Sequence, residues 1–245
     1  MRRGFTLIEL LVVISIIALM IAILLPALGK SREAAAKIEC LSKIRQVTIS
    51  TTAYAMDDSE ERLIEGTRTA GNYSSLVGLN KKDWEAFQDY GFEIPFWQCP
   101  GRAFEPDFNP TTGRLNHTYM YFGGATLWKG TWGDVESRSP VFLDDMTRGV
   151  AVISDATVQS RPPSWMPKND YYYEFWSDCQ PHGRNDDYSP TGSNTVFGDG
   201  SGEWIDASRL MPLHTWSVGG RQPWWYQDDI GELETAGHLV HPDRP

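Results

Sequence analysis

Residues 5 to 25, FTLIELLVVISIIALMIAILL, form a run of about 21 residues whose only charge is Glu9. At about 1.5 Å per helical residue the run spans roughly 30 Å, the hydrocarbon thickness of a bilayer. A secretory signal peptide has an apolar region of only about 7 to 15 residues followed by a small-x-small cleavage site. Here the run continues to Pro26 and then GKSREAAAK, with no such site on its far side. Whatever else the chain folds into, this segment is read as a membrane-spanning helix. Arg2 and Arg3 before it favour a cytoplasmic N-terminus with the rest translocated, although Lys30, Arg32 and Lys37 beyond it weaken that bias.

A carboxylate in such a span needs a reason. Insertion of an acidic side chain costs about 2.5 to 3.5 kcal/mol at the helix centre and less near an interface, so Glu9 is expected to have a partner. Gly4-Phe5-Thr6-Leu7-Ile8-Glu9-Leu10-Leu11-Val12-Val13-Ile14 resembles the cleavage and methylation signal of type IV pilins and type II secretion pseudopilins. The resemblance implies that a prepilin peptidase cuts between Gly4 and Phe5 on the cytoplasmic side of the inner membrane and methylates the new terminal Phe5. It also implies that Glu9 meets the N-terminal amine of a neighbouring subunit during assembly, which supplies the missing partner. Pro26 falls where family members commonly carry a helix-softening proline. Its missing N–H and ring clash are expected to kink the helix near the membrane exit.

Beyond Pro26 the Ala-rich segment to about Met56 has helical character, predicting one long helix of about fifty residues interrupted near Pro26. On a 100° wheel Cys40, Leu41, Ile44, Val47, Thr48, Thr51, Tyr54 and Ala55 form one stripe, expected to pack on a globular domain. Ile38 and Ile49 lie opposite, either as contacts to other subunits or as scattered exposed apolar residues. ECLSKIRQVTISTTAYAMDD adds a looser resemblance to prepilin-like proteins with a Cys and a later Tyr near an acidic residue.

From residue 57 the texture changes to short segments broken by Gly, Pro, Asn and Asp. A short helix is predicted around residues 81 to 90. Strands are predicted at 117–124, at VFLDD (141–145), at 151–158, at 193–200 and at 202–207. The fold class expected is α+β, a long N-terminal membrane-spanning helix packed on an antiparallel β-sheet head. The organisation follows as a leader at 1–4, a transmembrane and spine helix at 5–56 and an extracytoplasmic head at 57–245.

NTVFGDGSGEWID reads as a hairpin turning at Asp199-Gly200-Ser201-Gly202. It also resembles the C-terminal signature of a group of bacterial pilin-like proteins, in which a His is followed by nine residues and Asp-Gly. Asn194, Phe197, Asp199 and Gly200 fit that signature, but sixteen residues separate His182 from Asp199. Either the loop containing RNDDYSPTG is an insertion or His182 is not the equivalent residue.

Among 245 residues the formal net charge is −10, with no Lys/Arg cluster after about residue 45, so nucleic acid is not an expected partner. Cys40, Cys99 and Cys179 include no C-x-x-C pair and no neighbouring His at ligand spacing, so a structural zinc site is not expected. Outside the cytoplasm one disulfide with one thiol left over is the economical reading, and Cys40 with Cys99 is the preferred pair. No cofactor is expected. Asp199, Ser201 and Glu203 have the oxygens of half a calcium loop, and some pseudopilins bind calcium in their heads. Leu210 nevertheless stands where an EF-hand needs its bidentate glutamate. Asp144, Asp145, Asp155, Asp186 and Asp187 could add oxygens only from folded loops.

No G-x-S-x-G or H-E-x-x-H motif is present and the five histidines are scattered, so no catalytic activity is expected. The composition includes ten tryptophans, all of them in the head, as expected for core packing. YYYEFW (171–176) and PWWYQDD (223–229) are dense enough to raise an alternative: a membrane-anchored module that binds glycans or another ligand and borrows a pilin-like export signal. The expected function is a structural subunit of a pilus-like or secretion filament. Its expected partners are the peptidase, the membrane, and copies of itself or other pilins.

Overall fold

The computed structural model describes residues 5–69, 73–75, 78–102, 105–111, 113–116, 118–130, 133–159, 182–183, 185, 189–211 and 222–228. Helix α1 runs Leu7–Asp57, and helical structure is continuous across Pro26. It starts in a capping box: the Thr6 hydroxyl accepts from the Glu9 N–H at 3.3 Å, and Glu9 Oε2 accepts from the Thr6 N–H at 2.8 Å. It ends at Asp58, whose N–H returns to the Tyr54 carbonyl and whose carboxylate accepts from the Glu60 and Arg62 N–H groups.

The head begins with β1 (Thr67–Thr69), β2 (Tyr73–Ser75) and β3 (Gly78–Asn80), followed by α2 (Lys81–Asp89). The Asn80 side chain caps α2 by accepting from the Asp83 N–H at 2.9 Å. Strands β4 (Asp107–Asn109), β5 (Arg114–Asn116) and β6 (Tyr119–Tyr121) follow, then β7 (Leu127–Gly130) and β8 (Gly133–Glu136). The chain continues through β9 (Ala151–Asp155), β10 (Val158–Gln159), β11 (Gly192–Phe197), β12 (Gly202–Asp206) and β13 (Gln222–Pro223).

The principal sheet is antiparallel with order β12-β11-β9-β6. Every residue of β9 and β11 is buried, as expected of central strands covered on both faces. α1 lies against β9, β11 and β12. Its stripe supplies Cys40, Ile44 and Val47 to a core shared with Ile64, Phe87, Trp97, Tyr119, Tyr121, Ile153 and Val196. Thr48, Thr51 and Ala55 of the stripe are buried as well, and Leu41 and Tyr54 pack on the core from partly exposed positions. Ile38 and Ile49, on the opposite side, are 70% and 66% exposed. A separate cluster gathers Phe197, Ile205 and Leu210 under Trp224 and Tyr226.

The sheet is anchored by polar contacts as well as by burial. Tyr121 donates its hydroxyl to the Ile64 carbonyl at 2.7 Å and shares a second hydrogen bond with Thr51 of α1, also at 2.7 Å. Asn194 of β11 donates its side-chain amide to the Lys37 carbonyl at 3.1 Å. Arg45 donates to the Gly202 carbonyl at 3.0 Å, and the Lys37 ammonium sits 4.1 Å from the centre of the Trp204 ring. Three groups of α1 thus grip one hairpin.

Two of the strand expectations are corrected. VFLDD does not form a strand: Phe142 makes an isolated bridge to Arg62, and Leu143–Asp145 is a 3-10 turn. The reason is local, because Asp145 Oδ2 accepts from the N–H groups of Val141 and Phe142, both at 2.9 Å, and so closes the backbone on itself. Of the expected strand at 117–124, whose first residue lies outside the described residues, the described part is strand only at Tyr119–Tyr121, and the chain turns at Gly124, where φ is +70°.

Candidate functional site

The first region of interest is the start of α1. Every large apolar side chain from Leu7 to Leu28 is exposed, from 45% at Val13 to 83% at Leu7. The most apolar 18-residue window has a mean hydropathy of 3.1 and no buried residue, so this part of the helix is long and apolar enough to cross a membrane. Glu9 stands in its first turn. Both the N–H and the hydroxyl of Thr6 donate to Glu9 Oε2, each at 2.8 Å. The carboxylate therefore has local donors at the helix N-terminus, where negative charge is favoured, and its cost in an apolar setting is reduced. Phe5 is 72% exposed one residue before the cap, and Gly4 lies outside the described residues.

The second region is the Asp-Gly hairpin. Asp199 Oδ1 accepts from the N–H of Ser201 at 2.9 Å and from its hydroxyl at 2.5 Å. Those bonds, the hydroxyl first, hold the Asp199 carboxyl below the usual carboxylate range. Gly200 has φ +78°, a conformation costly for other residues. Glu203 faces Arg209 at 3.6 Å. Asp199 and Glu203 thus each have a local partner at this turn. Asp186 and Asp187, and the aromatic run 171–176, lie outside the described residues.

The third region lies where α1 meets the sheet. Cys40 of α1 is joined by a disulfide to Cys99, which follows the 3-10 turn Ile94–Trp97, with Cα atoms 5.5 Å apart. Cys99 is positioned by Thr118, whose hydroxyl accepts from the Cys99 N–H at 2.6 Å and donates to the Trp97 carbonyl at 2.7 Å. Against the sulfurs lie two residues that sequence reasoning left without a place. His182 Nε2 is 3.1 Å from Cys99 Sγ and 3.9 Å from Asp155 Oδ2. Asp155, the last residue of β9, accepts from the Asn194 N–H at 2.9 Å.

All four side chains are buried, His182 at 2% exposure and the other three at 0%. Burial pushes the Asp155 carboxyl up to about 7, opposed by its bonds to Asn194 and by the positive charges of Arg102 and Lys37. Burial, reinforced by Lys37, pulls the His182 imidazole down to about 4. His182 is therefore neutral at pH 7, and its 3.9 Å approach to Asp155 is not an ion pair. Among the described residues this is the one group of three or more His, Cys, Asp and Glu close enough to share an ion, its donor atoms all within 4.8 Å of one another. No linear spacing announces it, because the donors come from α1, the segment before β4, the end of β9 and the approach to β11. Cys179 lies outside the described residues.

Comparison with known families bears on the first region. The family model for the prokaryotic N-terminal methylation motif matches residues 1–25. Neither a curated protein nor a solved structure gives a significant match. The apolar helix with its capped Glu9 thus begins in a prepilin-type methylation signal. That match covers the signal and the apolar start of α1, and the long N-terminal helix on an antiparallel head is consistent with the α+β architecture of pilins. The signal and helix fit a membrane-anchored protein.

Proposed function

We propose that this chain is a structural, non-catalytic subunit of a type IV pilus-like or type II secretion pseudopilus filament. Prepilin peptidase would cleave it between Gly4 and Phe5 and methylate the Phe5 amine. The observation that carries the reading is the division of α1: an exposed apolar half headed by Glu9 and lying within the methylation motif, continuous with a half built into the head. Before assembly the exposed half sits in the inner membrane, with the N-terminus cytoplasmic and the head outside. In the filament the same surface packs against other subunits, and the Phe5 amine of one subunit meets Glu9 of the next. Pro26 lies near the membrane exit, where a missing hydrogen bond lets the helix bend.

The relation to the pilin-like group with His, nine residues and Asp-Gly is part of the same proposal. The N–H of Thr191 donates to the Gly183 carbonyl at 3.1 Å, so the chain leaves and returns at one place. Treating residues 184–190 as an insertion leaves nine residues between His182 and Asp199. Asn194 of that signature has a physical task here, holding both Asp155 and the α1 backbone.

Replacement of Glu9 by alanine, in cells that assemble the filament, tests the reading. Processed Glu9→Ala protein should accumulate in membranes and be missing from sheared filaments. Incorporation at the normal level would refute the assembly role.

A further inference from the structure

A disulfide between Cys40 and Cys99 accounts for two of the four buried side chains at the junction of α1 and the sheet. It gives no reason for the other two. Asp155 Oδ1 and His182 Nδ1 have no hydrogen-bond partner among the described residues, although both are sealed from solvent. A buried polar atom left unpaired costs about 1 to 3 kcal/mol, and a ligand bound through Asp155 Oδ1 would remove that cost at one of the two.

We propose that the reduced, dithiol form of this cluster binds a divalent transition metal of the zinc type through Cys40 Sγ, Cys99 Sγ, His182 Nε2 and one Asp155 oxygen. The donor set is two thiolates, one imidazole and one carboxylate, the mixture zinc takes in tetrahedral sites. Metal–ligand distances of about 2.0 to 2.3 Å put tetrahedral donors about 3.3 to 3.8 Å apart. The observed separations of 3.1 Å from Cys99 Sγ to His182 Nε2 and 3.9 Å from His182 Nε2 to Asp155 Oδ2 bracket that range. All four donors lie within 4.8 Å of one another, and once the disulfide is reduced the two sulfurs have to separate to about 3.8 Å to share a metal.

The surroundings suit it. Asn194 N–H orients Asp155 through Oδ2, and Thr118 fixes the Cys99 backbone, which is how supporting residues aim ligands at a metal. Two thiolates and a carboxylate around a dication leave one net negative charge. The positive charges of Arg102 and Lys37 act on Asp155 and offset it. With a metal in place α1 is clamped to three separate head segments, and binding is coupled to folding because the donors are buried.

The chemistry needs no reductant in a newly made chain, whose cysteines are thiols. Two S–H groups lose their protons to solvent and two sulfur–metal bonds form, with no change of oxidation state. The disulfide form arises instead when the thiols give two electrons and two protons to a disulfide-bearing oxidant, which is reduced to its dithiol. The metal and disulfide forms exclude each other, and the inference stands apart from the filament reading.

The full chain in detergent, reduced with a phosphine and refolded with Co²⁺, provides the test. It should bind one Co²⁺ per chain, with the intense visible bands of tetrahedral cobalt and a thiolate-to-cobalt charge-transfer band, and Zn²⁺ should bleach both. His182→Gln and Asp155→Asn should each weaken Co²⁺ binding by about 10-fold or more. Cys40→Ser should halve the thiolate band or remove it, and Cys179→Ser should leave the spectrum unchanged. X-ray absorption of the cobalt form of the unaltered chain keeps the test independent of how the variants fold, and should give two sulfur and two nitrogen or oxygen neighbours. A reduced chain with titratable thiols but no tetrahedral bands overturns the proposal. So does any other donor set, or a spectrum that survives both His182→Gln and Asp155→Asn or depends on Cys179.

Discussion

From Leu7 to Leu28 the apolar side chains of α1 meet nothing of their own chain, whereas from Cys40 to Ala55 seven residues of the same helix are buried in the head. Both stretches are helical and neither contains a break. They differ in pattern: the first is apolar all round and the second is apolar on one stripe. An all-round apolar surface has no preferred face, so it suits lipid or a ring of neighbouring helices, while a stripe suits one sheet. The difference leaves one helix with a half suited to a membrane and a half built into the domain core.

The comparison can be broken by placing the same charge in each half. Ile44→Asp puts an unpartnered carboxylate where exposure is 0%, and the head should lose about 4 kcal/mol or more in denaturant unfolding of the full chain. Ile16→Asp, at a position 50% exposed, should leave head unfolding within about 0.5 kcal/mol of the parent. Its effect should appear in membrane insertion, reduced by about 2.5 to 3.5 kcal/mol. Equal effects on head stability would erase the distinction between the halves.

The covalent tie between helix and head is the next largest. The bridge spans a sequence separation of 59, and in the oxidised chain Cys40→Ala with Cys99→Ala should cost about 4 kcal/mol through the entropy of the unfolded chain. Peptide mapping without reductant should recover the Cys40–Cys99 linkage in the parent. Tyr121→Phe is smaller. It removes the hydroxyl shared by Thr51 and the buried Ile64 carbonyl, and should lower stability by about 1 to 3 kcal/mol, read from the denaturation midpoint.

The smallest expected effect lies at the hairpin gripped by α1. The Asp199 carboxyl is held below its ordinary value of 3.8, so its contribution is fully present above that pH and is lost as pH falls through the folded value. Asp199→Asn should flatten the acid limb of a plot of thermal midpoint against pH. An unchanged limb would show that the Ser201 bonds stabilise the turn without favouring the charged form.

The stripe from Cys40 to Ala55 was legible because burial on a helix repeats with the helical period, and the Asp-Gly hairpin because β-rich runs flank a turn that only glycine adopts easily. VFLDD was misread because its apolar start suggests a strand, while the side chain of Asp145 caps the preceding backbone and folds it into a turn. The buried cluster was illegible for a different reason. Its four donors are spread from residue 40 to residue 182, and only the packing of α1 on β9 and β11 brings them together. Glu9 stands out in the sequence as a charge in need of a partner, but its hydrogen bonds to Thr6 are a feature of the folded helix start.

Mass spectrometry of the mature N-terminus, on protein taken from the membranes of cells that assemble the filament, tests the central claim most directly. The account predicts a chain that begins at Phe5 and carries one methyl group on its amine. An intact Met1, or a cut anywhere beyond the apolar run, would contradict it.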